Sequence, residues 1–224
     1  MFSSLDRIDV VLEPAGGRQT VVQTDHREAA EVAAEPELST LFAVIRVLNP
    51  VRAAEPGLVR SIQYDIQHEP PGFLADAIRA AGGSLTVDRQ ARPADVVPPL
   101  DGIVSEAFAG LARRTATDHG VEVTQVGLAV VERSLAAAAP DPEDDEFAYW
   151  SAVVKLGAFA GEVVRAANGG EWRVVETGTL PFALATRFRG EPATANPLGK
   201  AIKQLENGDE DSVSSLVALL GQSP

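Results

Sequence analysis

Hydrophobic residues recur along this chain with two periods, and the change from one to the other marks out its elements. Ile8, Val10 and Leu12 take every second position before Pro14-Ala15-Gly16-Gly17, and Thr20, Val21 and Val22 follow. That pattern predicts a β-hairpin with a Gly-rich turn. From Pro36, residues Leu38, Leu41, Phe42, Ile45 and Leu48 fall at helical spacing until Asn49-Pro50 stops the run. Ile62, Tyr64 and Ile66 alternate with Ser61, Gln63 and Asp65, which predicts a strand with one wet face, a pattern an antiparallel sheet tolerates. A second helix is expected over Phe73, Leu74, Ala77, Ile78 and Ala81, closed by Gly82-Gly83, and Ser84 to Asp88 add one more strand. Residues 1–91 therefore read as a β-β-α-β-α-β unit, an antiparallel or mixed sheet with helices on one face. The stretch Arg92 to Pro99 carries three prolines and no periodicity, so residues 92–100 read as a semi-rigid linker.

Residues 101–224 are richer in helical spacing. Val104, Ala107, Phe108, Leu111 and Ala112 mark a helix from about Asp101 to Asp118, ended by Gly120. Leu128, Val131 and Leu135 favour a helix over Thr124 to Ala138, although Val121, Val123 and Val126 also suit a strand. The helix from Phe147 to about Ala167 is the most apolar element, with Lys155 its one charge before Glu162, so it should be buried on most sides. Its uninterrupted apolar length is shorter than a good membrane span needs. Gly157 and Gly161, four apart, would let another backbone approach one face. Asn168-Gly169-Gly170 should terminate it. Glu171 to Glu176 and Thr179 to Phe188 read as a hairpin, with Pro181 marking the second strand as an edge. Asn196-Pro197 opens a helix to Glu206, and Asp209 or Asp211 can cap a last short helix through Val213, Leu216, Val217 and Leu220. The fold class is α+β in two small domains: an N-terminal sheet with helices, and a helix-rich C-terminal domain with a β-hairpin.

Charge narrows the partners. Nineteen basic side chains against 32 acidic ones give a net charge of −13, which opposes phosphate contacts and argues against nucleic acid and against an anionic membrane surface. It permits a basic protein partner. The split is uneven: nine Arg against fourteen acids over residues 1–98 give −5, and ten basic against eighteen acidic residues beyond give −8. Sixteen Arg against three Lys in an Ala-rich background suit a GC-rich bacterial origin. The N-terminal segment from Met1 to Arg7 shows neither a basic n-region nor an apolar h-region, which points to the cytoplasm.

Candidate chemistry is sparse. With no cysteine, thiolate catalysis, disulfides and Cys-ligated metals drop out. The histidines, His26, His68 and His119, each adjoin a carboxylate but lack the i,i+4 pairing of a helical zinc site, so exposed loop histidines are the simpler reading. No serine lies in a nucleophile elbow, and Gly16-Gly17, Gly82-Gly83 and Gly169-Gly170 match neither phosphate-binding fingerprint. The acidic runs lack the alternating ligands of a calcium loop. No cofactor or metal is expected. Glu162, on an apolar helix, is the one acid that could do acid–base work, against an ion pair with Arg165 or a bond to the following hairpin. Trp150 and Trp172 could anchor an interface, although a Trp beside a buried helix is usually core. Candidate protein-binding residues are Glu143, Asp144, Asp145 and Glu146 of the acidic loop, with Glu162 and Trp172.

Val131-Glu132-Arg133-Ser134-Leu135, the run Leu156-Gly157-Ala158-Phe159-Ala160-Gly161-Glu162-Val163-Val164-Arg165, and Gly169-Gly170-Glu171-Trp172, with Asn196-Pro197 beyond, resemble an uncharacterised bacterial domain family over about residues 123–205. Phe159 stands where that family more often has Tyr. The stretch with Ile8-Asp9-Val10-Val11-Leu12 and Thr24-Asp25-His26 resembles another small bacterial family of unknown function. The first resemblance implies an accessory interaction role of the kind found beside toxin and immunity genes. The reading favours a non-catalytic interaction protein, immunity- or antitoxin-like. Two alternatives stand beside it: a carboxylate-dependent or small-molecule-binding enzyme with its site between the domains, and an oligomer formed through the Gly157/Gly161 face.

Overall fold

The computed structural model describes residues 8–12, 20–23, 35, 37–38, 41–42, 44–45, 59–64, 84–87, 100–175 and 178–220. The fold is α+β, with two separate sheets. The described residues divide into two compact units: one holds the N-terminal elements through Val104 together with Val174 and Val175, and the other runs over Ser105–Arg173 and on from Gly178.

In the first unit, β1 (Ile8–Leu12), β2 (Thr20–Gln23), β3 (Val59–Tyr64) and β4 (Ser84–Val87) form a mixed sheet in the order β2-β1-β3-β4. The expected hairpin is present: β1 and β2 pair antiparallel, with Val10 opposite Val22. β3 lies antiparallel on the other side of β1, with a register shift between Val11 and Leu12. β4 runs parallel to β3, Ile62 opposite Leu85. Parallel neighbours need a crossover of about a dozen residues or more, and residues 65–83 supply the length. The helix expected over 73–81 and residues 92–99 of the expected linker lie outside the described residues, while Leu100, read as the linker's end, already belongs to a helix. Between β2 and β3, Leu38, Leu41, Phe42 and Ile45 are helical and buried, as their spacing predicts, and Val44 is buried with them.

α1 (Leu100–Asp118) begins in the first unit and continues from Ser105 in the second, where α2 (Gln125–Ala138) and α3 (Glu146–Asn168) follow. Gly120, at φ +63°, takes the left-handed conformation that ends α1. Thr124 caps α2 by accepting a bond from Gly127 N–H at 3.2 Å, which settles the helix against the strand alternative. α3 is the core, with fourteen of its residues buried, from Tyr149 through Val164. By length and composition it could cross a membrane, contrary to the expectation from its apolar run, yet 78% of its most apolar window is buried within the fold.

β5 (Glu171–Val174), β6 (Phe182–Phe188) and β7 (Glu191–Ala195) form the second sheet in that order. Two expectations change here. The sheet has a third strand, and β6 is its centre, not an edge; Pro181 lies just outside it. The true edge proline is Pro192. Arg189 and Gly190 have φ of +52° and +84°, the two-residue turn whose twist matches a hairpin. That turn makes Phe188 and Glu191 a hydrogen-bonded pair, so the next pair, Arg187 with Pro192, falls in the non-bonded position where a missing N–H removes no ladder bond.

The opposite edge is closed by side chains of α1. Trp172 N–H donates to Ser105 Oγ and the Ser105 hydroxyl donates to Trp172 O, both at 3.1 Å, while Val174 N–H donates to Asp101 Oδ1 at 2.8 Å. Asp101 and Ser105 are one helical turn apart, as residues 172 and 174 are one strand repeat apart, so each polar side chain meets an outward-facing backbone group. α4 (Pro197–Asn207), capped by Asn196 through Gly199 N–H at 2.8 Å, leads through a 3₁₀ turn (Gly208–Asp211) into α5 (Val213–Leu220).

Candidate functional site

Between α2 and α3 the chain carries five acids in six positions, Asp141 to Glu146, interrupted by Pro142. Two of them organise the loop. Asp141 Oδ1 accepts from Glu143 N–H at 2.8 Å, and Asp141 O accepts from Asp144 N–H and Asp145 N–H at 3.0 and 3.1 Å. Asp145 caps α3 by accepting from Ala148 N–H at 2.9 Å, where a carboxylate also meets the positive end of the helix dipole. Glu143, Asp144 and Glu146 remain exposed, and Phe147 beside them is 49% exposed. The loop thus presents a braced cluster of carboxylates next to an aromatic ring. Its field reaches inward: burial first, then the negative charges of Glu206 and Asp141, push the Tyr149 phenol above its ordinary value.

Glu162 and Trp172 lie elsewhere and together. Glu162 is 6% exposed and Trp172 is fully buried, which removes both from any surface a partner could reach. The Trp172 indole N–H donates to Glu162 Oε1 at 3.0 Å. Arg165, one turn along α3, donates from Nε to both carboxylate oxygens at 3.0 Å and from Nη2 to Oε2 at 2.7 Å. Both structural roles weighed for Glu162, the ion pair and the tie to the next hairpin, are present at once. The carboxylate raises the affinity of Arg165 for its proton, chiefly through these hydrogen bonds.

Trp172 stacks on Phe108 with centroids 3.9 Å apart, and Phe182 meets Phe108 edge-on at 5.2 Å. The Gly157/Gly161 face is occupied from within the chain. A Cβ on Gly161 would overlap the Trp172 indole, lying 2.7 Å from Cη2, and one on Gly157 would come within 2.5 Å of Leu198 Cδ2. The close approach foreseen for a second chain is made by β5 and α4 instead.

Of the histidines, His26 and His68 lie outside the described residues. His119 donates from Nδ1 to Thr115 O at 2.8 Å, tying its ring to the end of its own helix. Trp150 is half-buried, edge-on to Tyr149 at 5.3 Å. Among the described residues, no three His, Asp or Glu side chains are grouped to hold a metal ion.

One polar centre has no counterpart in the sequence reading. Glu132, on α2 and buried, accepts at Oε1 from Ser212 Oγ (2.9 Å), Val213 N–H (2.6 Å) and Ser214 N–H (3.4 Å), and at Oε2 from the Ser214 hydroxyl. It caps α5 from another helix, in the place proposed for Asp209 or Asp211. Asp211 is engaged otherwise: Oδ1 accepts from Lys200 Nζ at 2.7 Å and Oδ2 from Asn207 Nδ2 at 2.8 Å. The only signal in sequence was a carboxylate on the apolar side of α2.

Comparison with protein-family models, with curated proteins and with solved structures gave no match.

Proposed function

We propose that this chain is a non-catalytic protein-interaction factor of the bacterial cytoplasm, immunity- or antitoxin-like, that binds a basic protein partner through the loop Asp141–Glu146. The observation that carries the reading is the loop itself. Asp141 and Asp145 are spent on backbone hydrogen bonds, so the exposed carboxylates of Glu143, Asp144 and Glu146 stand on a preorganised support, which lowers the ordering cost of binding. Phe147 adds a half-exposed aromatic ring of the type that anchors interfaces. The −8 carried by residues 99–224 would speed encounter with a cationic surface.

The division into two compact units supports a two-domain protein, and the burial of α3 within the fold supports a soluble one. The enzyme alternative loses its leading acid, because Glu162 is committed to Trp172 and Arg165.

Affinity capture from the native host at low and high salt tests the reading, with Glu143→Gln/Asp144→Asn/Glu146→Gln as the comparison; Asp141 and Asp145 stay intact so the loop keeps its bonds. A basic protein retained at low salt, released at high salt and lost with the triple variant is expected. Recovery of no partner, or of one equally retained by the triple variant, overturns it.

A further inference from the structure

We propose that α5 is a detachable strap and that the Glu132 carboxylate is its latch. The four hydrogen bonds to this carboxylate all come from residues 212–214, and every donor is neutral. A carboxylate 7% exposed is costly to bury without donors, and the first N–H groups of a helix are costly to leave without acceptors. Each therefore depends on the other. Glu132 stays buried while the strap supplies donors, and the strap keeps its first turn while Glu132 accepts from it.

The rest of the element fits a part fastened from outside. Ser212 stands where a self-capping residue would, but its hydroxyl is given to Glu132. At the far end, Asn168 Nδ2 on α3 donates to Leu220 O at 2.8 Å. Eight residues are too few for a helix to persist alone in water, so α5 is held by the hydrogen bonds at its two ends and by Val213, Val217 and Leu220, buried on a seat made by α2, α3 and α4. The pivot is marked as well. Asp211 is tied back to α4 by Lys200 and Asn207, so the anchored chain ends where the strap begins, at Ser212. Release would free Glu132 to water and uncover the apolar seat, a local opening of the kind that serves regulation.

Hydrogen–deuterium exchange on the full chain reads this directly. In the wild-type protein the amides of residues 217–220 should exchange at least about tenfold faster than those in the middle of α3, under conditions where exchange follows the opening equilibrium. Glu132→Ala, which leaves the Ser212, Val213 and Ser214 donors without this acceptor, should speed exchange in α5 by a further tenfold or so while α3 is unchanged. Ser214→Ala should give a smaller increase of the same pattern. Exchange of α5 in step with α3 in the wild-type protein overturns the proposal. So does a variant that speeds both helices equally, since α5 would then open only with the whole unit.

Discussion

Replacing Glu162 separates two interactions that share one carboxylate. Glu162→Ala leaves the indole N–H of Trp172, in a fully buried residue, with no acceptor, at about 1–3 kcal/mol. Losing the buried Cγ methylene adds about 0.8 kcal/mol. Arg165, with its side chain 42% exposed, returns to water, and solvent screening limits that loss to about 0–1 kcal/mol. The expected total is about 3 kcal/mol, or roughly 6–12 °C in Tm for a protein of this size. Glu162→Gln keeps an oxygen for Trp172 and gives up only the charge pairing, so it should cost about 1 kcal/mol or less. Urea unfolding followed by circular dichroism at 222 nm would measure both without relying on Trp172 emission, which the substitutions themselves alter. Adding Arg165→Ala should then cost about nothing on top of Glu162→Gln. If Glu162→Ala and Glu162→Gln were equally destabilising, the indole bond would not be the principal contribution and the reasoning would fail.

Gly161→Ala should destabilise by about 1–3 kcal/mol or more in the same assay, because its Cβ overlaps a stacked indole that cannot retreat; a cost below about 0.5 kcal/mol would contradict the packing. Tyr149 should ionise above the ordinary phenol value of 10.0. Since the folded-state value is raised, its contribution to stability is complete below the unfolded value and is lost as pH rises through the folded one. Absorbance at 295 nm should show a late step that Tyr149→Phe abolishes and Glu206→Gln moves to lower pH. Asp211, lowered from 3.8 first by Lys200 and then by Asn207, should behave in the opposite sense: its contribution is present above the unfolded value and fades as pH falls through the lower folded one. Carboxyl NMR should place its titration below the ordinary Asp range, and Lys200→Met should raise it.

Much of the second unit was legible because its signals are local. α3 was found by its apolar density, and α4 by Asn196-Pro197, since a cap side chain and a preset proline φ act within one turn. β7 was not legible: Glu-Pro-Ala-Thr-Ala has no apolar alternation, and it is a strand because the Arg189-Gly190 turn folds it back on β6. The acidic loop was legible as charge, while its bracing by Asp141 and Asp145 appears only in the structure.

Sequence alone determined the α+β class, the acidic balance, the lack of cysteine chemistry and most helix ends, all of which depend on composition or on residues within about one turn of each other. Tertiary structure decided the partners of the buried carboxylates. Glu162 reaches Trp172 ten residues on, and Glu132 reaches residues 212–214 some eighty away. Only the fold brings such positions together, and once buried a carboxylate must take whatever donors the fold provides. Burial also decided that Trp172 is packed inside while Glu143, Asp144 and Glu146 remain at the surface.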